Sequence, residues 1–138
     1  MKNLLFVLLF ISFSIVAAQE KVSDDEPLII TIADKWLKVV DKGNYEQSWR
    51  EGSELFRAAV TKEQWVQALT GLRRPLGELK KRELKSKKYA TQLPGAPDGE
   101  YYTFEYNTSY KNKVESTETV TAMKDKDGKW RVAGYFLK

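Results

Sequence analysis

Residues 101–137 read YYTFEYNTSYKNKVESTETVTAMKDKDGKWRVAGYFL, and this stretch decides the fold. At its start, Tyr102, Phe104, Tyr106 and Tyr110 share one parity, while Tyr101, Thr103, Glu105, Asn107 and Ser109 take the other. Apolar and polar residues alternating at period two mark a half-buried strand. Lys111, Asn112 and Lys113 form a polar tip, after which residues 114–123 are dense in Val and Thr, which suit a pleated surface. Asp125-Lys126-Asp127-Gly128 predicts a tight turn, with the glycine supplying positive φ. Beyond it Trp130, Val132, Gly134 and Phe136 fall on one side and Arg131, Ala133, Tyr135 and Leu137 on the other. Both sides are apolar enough to predict a central strand. Two short connections between three strands imply an antiparallel meander.

Working back towards the N-terminus, residues 94–99 (PGAPDG) read as a loop. Residues 78–93 read as a long, bent, polar strand carrying a bulge, with Leu79, Leu84, Tyr89 and Ala90 as its sparse apolar positions. Three helices are predicted before it. The first, over residues 28–41, buries Ile29, Ile32, Ala33, Trp36, Leu37 and Val40 at three- and four-residue spacing, with Asp25 or Ser23 as its cap and Gly43 as its stop. The second opens at Asn44 with Gln47 completing a capping box, and it breaks near Ser53 before Leu55 and Phe56. The third opens on a second box, Thr61 with Gln64, buries Trp65, Leu69 and Leu72, and ends at Pro75 and Gly77. Three N-terminal helices packed on a mainly antiparallel four-stranded sheet make an α+β layer fold.

The chain opens with Lys2, an apolar run over residues 4–16, and the small residues Ala17 and Ala18. That pattern predicts a signal peptide over residues 1–18, and the run is shorter than the roughly 20 apolar residues of a membrane span. A polar lead-in over residues 19–26 and a single α+β domain over residues 27–138 follow. The expected location is outside the cytoplasm, in a bacterial periplasm or secreted, with no membrane span left after cleavage. The 23 basic and 19 acidic residues give a net charge of +4, too small an excess to mark a nucleic-acid binder.

The chain has no His and no Cys. That excludes Ser-His-Asp and Cys-His catalysis, thiolate nucleophiles and the usual zinc ligands. No metal or other cofactor is expected. Glu118 is the weak catalytic candidate: it shares parity with Val114, Val120 and Ala122, and a carboxylate desolvated in a pocket would serve as acid/base or ligand anchor. The plainer reading pairs it with a base across the sheet, with Arg131 the expected partner. Trp36, Trp49, Trp65, Tyr102, Phe104, Tyr106 and Tyr135 are candidates to line a pocket with Glu118, against the alternative of ordinary core. Lys80, Arg82, Lys85, Lys87 and Lys88 are candidates to hold an anionic partner, against the alternative of lysines guarding an exposed strand.

Five stretches carry a family resemblance: WLKVVDKGNYEQSW (36–49), LFRAAVTKEQW (55–65), LPGAPDGEY (93–101), ETVT (118–121) and DGKWRVAGYF (127–136). Together they resemble the exported bacterial family catalogued as domain of unknown function 4019, over nearly all of the chain past the leader. The last of them is also similar to the closing strand of the wider cystatin-like, nuclear-transport-factor-like superfamily. The resemblance implies a cone-shaped α+β fold with a pocket between helices and sheet, and it supplies no catalytic residues.

Three functions compete on this reading. The first is an exported binding or accessory module, taking a small apolar ligand in a helix–sheet pocket or an anionic envelope component on the basic strand. The second is a small isomerase- or hydrolase-like enzyme using Glu118 with Tyr106 or Tyr135 as hydrogen-bond donor. The third is a homodimeric scaffold through a sheet face bearing Thr117, Thr119, Thr121 and Met123.

Overall fold

The computed structural model describes residues 24–138; the predicted leader and most of the lead-in lie outside them. Four helices come first: α1 (Glu26–Asp41), α2 (Tyr45–Arg50), α3 (Glu54–Ala59) and α4 (Lys62–Arg73), with a 3-10 turn over Arg74–Leu76. Then come β1 (Leu79–Ala90), β2 (Tyr101–Tyr110), β3 (Lys113–Lys124) and β4 (Trp130–Leu137). They form one antiparallel sheet in the order β1-β2-β3-β4, so the α+β meander is as the alternation predicts. No helix among the described residues is long and apolar enough to cross a membrane.

The helices form where the apolar spacing places them. Ile29, Ala33, Trp36, Leu37 and Val40 make the buried face of α1. Gly43, at φ 79°, turns the chain out of the helix, in the left-handed region that favours glycine. The Thr61–Gln64 capping box forms in both directions. The box at Asn44 does not: the Asn44 side chain makes no cap bond, and Gln47 donates instead to Glu51. The predicted second helix is two short ones. Ser53 interrupts it because its N–H donates to the Val132 carbonyl of β4 at 2.8 Å while its hydroxyl caps α3 by accepting from Phe56 N. Gly52 lets the Phe56 ring close in; a Cβ there would sit 2.4 Å from it.

The inner face of the sheet carries Tyr102, Phe104, Tyr106, Glu118, Val120, Ala122, Trp130 and Val132, all buried. Two readings of β4 need correction. It is an edge strand, not a central one, and its apolar inner residues lie under the helices. Its parity also changes partway: Ala122 pairs with Val132 but Thr121 pairs with Gly134, leaving Ala133 as an extra residue. The bulge turns Tyr135 to the inner face beside Val120 and sends Phe136, 61% exposed, to the outer face beside Thr119. β1 carries the bulge expected of it, between Leu84 and Ser86, with another irregularity between Leu79 and Lys81.

Candidate functional site

Trp36, Trp65, Tyr102, Phe104 and Tyr106 lie in the buried core, and Trp49 and Tyr135 pack against it half-buried. Their rings meet each other: Trp36 and Trp65 centroids are 6.2 Å apart, Trp36 and Tyr135 5.5 Å, and Phe56 meets Trp65 edge-on at 4.7 Å. Tyr102 stacks on Phe104 at 5.6 Å. The indole N–H groups are all engaged. Trp36 donates to the Ser48 carbonyl and Trp65 to the Ser48 hydroxyl, each at 2.9 Å. Trp49 donates to the Val60 carbonyl at 2.8 Å and Trp130 to Asp25 at 3.3 Å. Ser48 is fully buried, so one small polar residue serves two tryptophans at once.

At one end of this core four charged side chains converge. Arg82 from β1 donates to Glu118 of β3 through Nε (2.8 Å) and to both Asp41 oxygens through Nη1 (2.7 Å) and Nη2 (2.9 Å). Arg73, at the end of α4, donates from Nη2 to Asp41 at 2.8 Å and lies 5.0 Å over the Tyr110 ring. Its Nη1 stands 3.9 Å from Glu118. The Tyr135 hydroxyl donates to the second Glu118 oxygen. Glu118 is fully buried, and two carboxylates face two guanidiniums, so the cluster is formally neutral.

The electrostatics follow from that pairing. Burial alone would raise the Asp41 carboxyl, but hydrogen bonds from Arg82 and Arg73 more than offset it and hold it below the usual carboxylate range. Burial disfavours the Arg82 and Arg73 charges, and their carboxylate partners, Asp41 and Glu118 for Arg82 and Asp41 for Arg73, restore them with a margin. Burial, then the Glu118 charge, pushes the Tyr110 hydroxyl up to about 12 and the Tyr135 hydroxyl higher. Glu118 is thus closed in, held by Arg82 and Tyr135. Arg131, the partner expected from sequence, lies elsewhere, bound to Asp125 (2.7 Å) and Asp127 (2.8 Å) of the turn.

A stripe along α1 joins this cluster to β1 and β2. Glu26 binds Lys87 and accepts from Tyr102, Asp34 accepts from Tyr106 at 3.0 Å, and Asp41 takes Arg82. Ile30 and Lys38 fall between these carboxylates and, with Asp34, Arg82, Leu84 and Tyr106, line a groove of about 290 Å³ between helix and strand. Of the aromatic pocket candidates Tyr106 alone reaches this groove, and Glu118 does not. The stripe was missed from sequence although its signal is there: acids at positions 26, 34 and 41 recur at helical spacing. Arg73 carries no such signal, since it sits beside an exposed Arg74 of the same type.

The five basic candidates divide. Arg82 is turned inward into the cluster, which removes it from the exposed set, because an acid on α1 and another on β3 outcompete solvent for it. Lys80 pairs with Glu78 at 2.9 Å and Lys87 with Glu26. Lys85 and Lys88 are exposed and make no ion pair among the described residues. Residues 83–88 are all exposed, along an edge strand.

Residues 32–135 match the family model described as "Protein of unknown function (DUF4019)", and the chain belongs to that family. No curated protein matches it.

Proposed function

We propose that this member of the family is an exported binding module, delivered by the signal peptide over residues 1–18 to the periplasm, where its lysine-bearing β1 edge holds an anionic envelope surface. The observation that carries the reading is the β1 edge itself. Lys80, Lys81, Lys85, Lys87 and Lys88 are exposed there, and Lys85 and Lys88 are uncompensated among the described residues. Lys38 on α1 is also exposed, makes no ion pair among the described residues, and lines the groove beside β1. Edge lysines alone deter strand pairing. Lys38 on the adjoining helix adds a cation that edge protection does not require, and the set suits an anionic lipid surface, at about 1 kcal/mol per basic residue near it. The reading requires no catalytic group, in keeping with a Glu118 closed in by Arg82 and Tyr135. Helices packed on one face of a four-stranded antiparallel meander support placing the fold among cystatin-like, nuclear-transport-factor-like cones.

The test is flotation of residues 19–138 with vesicles of neutral or anionic lipid. Binding is expected on anionic vesicles alone, falling with added salt, and dropping at least about thirtyfold in Lys85→Glu/Lys88→Glu, the loss of roughly 2 kcal/mol or more. Equal binding to neutral vesicles, or no effect of the charge reversal, would overturn it.

A second reading, a homodimer through the outer sheet face, is favoured by Phe136. It stands exposed beside Thr119 on the face that also carries Thr117, Thr121 and Met123. Light scattering of wild type against Phe136→Lys distinguishes it: a dimer would fall to monomer, and a monomeric wild type ends this reading.

A further inference from the structure

We infer that the chain carries a second binding site, of opposite charge preference, for a small molecule with an apolar body and a cationic head. The site is a groove of about 620 Å³ between α3, the 93–100 loop and the β3–β4 turn. Leu55, Ala58, Pro97 and Met123 give it apolar walls, and Glu54 and Asp98 stand on its rim. The volume lies within the roughly 300–1,000 Å³ of small-molecule sites.

The walls are held in place. Tyr101, buried on the outer sheet face, donates its hydroxyl to the Pro97 carbonyl, and Gly99 N donates to the Thr91 carbonyl at 3.0 Å, so the loop is pinned to the sheet. On the opposite wall α3 is anchored through Phe56, which is buried against Trp65 and leaves Leu55 and Ala58 to the groove.

The rim sets the head group. Lys124 is paired with Glu100 at 3.7 Å and Asp125 with Arg131 at 2.7 Å, which cancels them. The carboxylates of Glu54 and Asp98, and the Lys126 ammonium, make no ion pair among the described residues. The uncompensated balance is acidic, in a chain whose net charge is +4. Such a rim attracts an ammonium and repels a carboxylate or phosphate. This site stands independently of the β1 edge, which selects the opposite sign.

The test is calorimetric titration of the protein with octylammonium, octanol, octanoate and ethylammonium, in wild type, Ala58→Phe and Glu54→Gln/Asp98→Asn. Octylammonium is expected to bind at least tenfold tighter than octanoate, and ethylammonium not measurably. Ala58→Phe, an exposed change that fills the groove, should abolish binding. The double amide variant should erase the preference for ammonium over octanol while octanol still binds. Octanoate binding as well as octylammonium, ethylammonium binding equally, or octylammonium binding unaffected by Ala58→Phe would overturn the proposal. So would an absence of octylammonium binding.

Discussion

Arg82 reaches across the whole width of β2 to grip Glu118: its Nε lies 2.8 Å and its Nη2 2.7 Å from Glu118 Oε1, one strand beyond its own pairing partner. The same guanidinium clasps Asp41 of α1, so one side chain ties the edge strand, the middle of the sheet and the first helix together. Replacing Glu118 by Leu leaves the buried Arg82 and Arg73 charges to share the single Asp41 carboxylate and should cost about 3–5 kcal/mol in urea unfolding. Arg82→Met combined with Glu118→Leu should recover most of that loss, because the desolvation of both ions disappears with them. A loss in the double variant equal to the sum of the Glu118→Leu and Arg82→Met losses would show the pair to be uncoupled.

The same cluster contributes to the pH profile through Asp41. Asp41 titrates lower in the folded chain than in the unfolded one, where its pKa is about 3.9. The folded state therefore binds fewer protons near that pH. The stability Asp41 contributes is fully present above its unfolded pKa and is lost as pH falls through its folded pKa. Unfolding free energy should be flat near neutrality and decline below about pH 4. Asp41→Asn should be less stable at neutral pH and should show a shallower acid decline.

At the alkaline end the tyrosines act in the opposite sense. Tyr110 is raised to about 12 by burial first and by the Glu118 charge next, and Tyr106 and Tyr135 are raised as well. A raised folded pKa gives stability that is complete below the unfolded value, about 10, and disappears as pH climbs towards the folded one. Absorbance at the phenolate band should show these three tyrosines ionising only as the protein unfolds. Early ionisation of all seven tyrosines near pH 10 would contradict their burial.

Ser48 offers a test of the indole network. Ser48→Ala removes the acceptor of the Trp65 N–H but leaves the backbone acceptor of Trp36. The orphaned donor should cost about 1–3 kcal/mol. Thermal unfolding measures the loss, and tryptophan fluorescence should change at Trp65, as checked in Trp65→Phe.

Phe136 tests the bulge at Ala133. Because Phe136 faces outward, Phe136→Ser should change monomer stability by no more than about 0.5 kcal/mol. Unbroken alternation would have put it in the core beside Val132, where truncation costs about 3–5 kcal/mol. Tyr135→Phe should show the reverse pattern, destabilising the fold by removing the hydroxyl that holds Glu118.

What the sequence determined by itself was governed by neighbours a few residues away, although the equally local Asn44–Gln47 box did not form. Period-two alternation placed β2 and β3, three-and-four spacing placed α1, and the Thr61–Gln64 pair opened α4, because each signal is complete within one turn or one strand. Tertiary structure alone decided where the charges went. Arg82 looked like one more base in a solvated run, and only the meeting of α1, α4, β1 and β3 gave it Asp41 and Glu118 as partners. The Ala133 bulge was likewise invisible, since one extra residue reverses inward and outward without altering composition, and the Ser53–Val132 bond beside it comes from a helix break some 80 residues away along the chain. Long-range pairing selects among local patterns that are equally good in isolation, and here it turned a basic strand into one buried clamp and a row of exposed lysines.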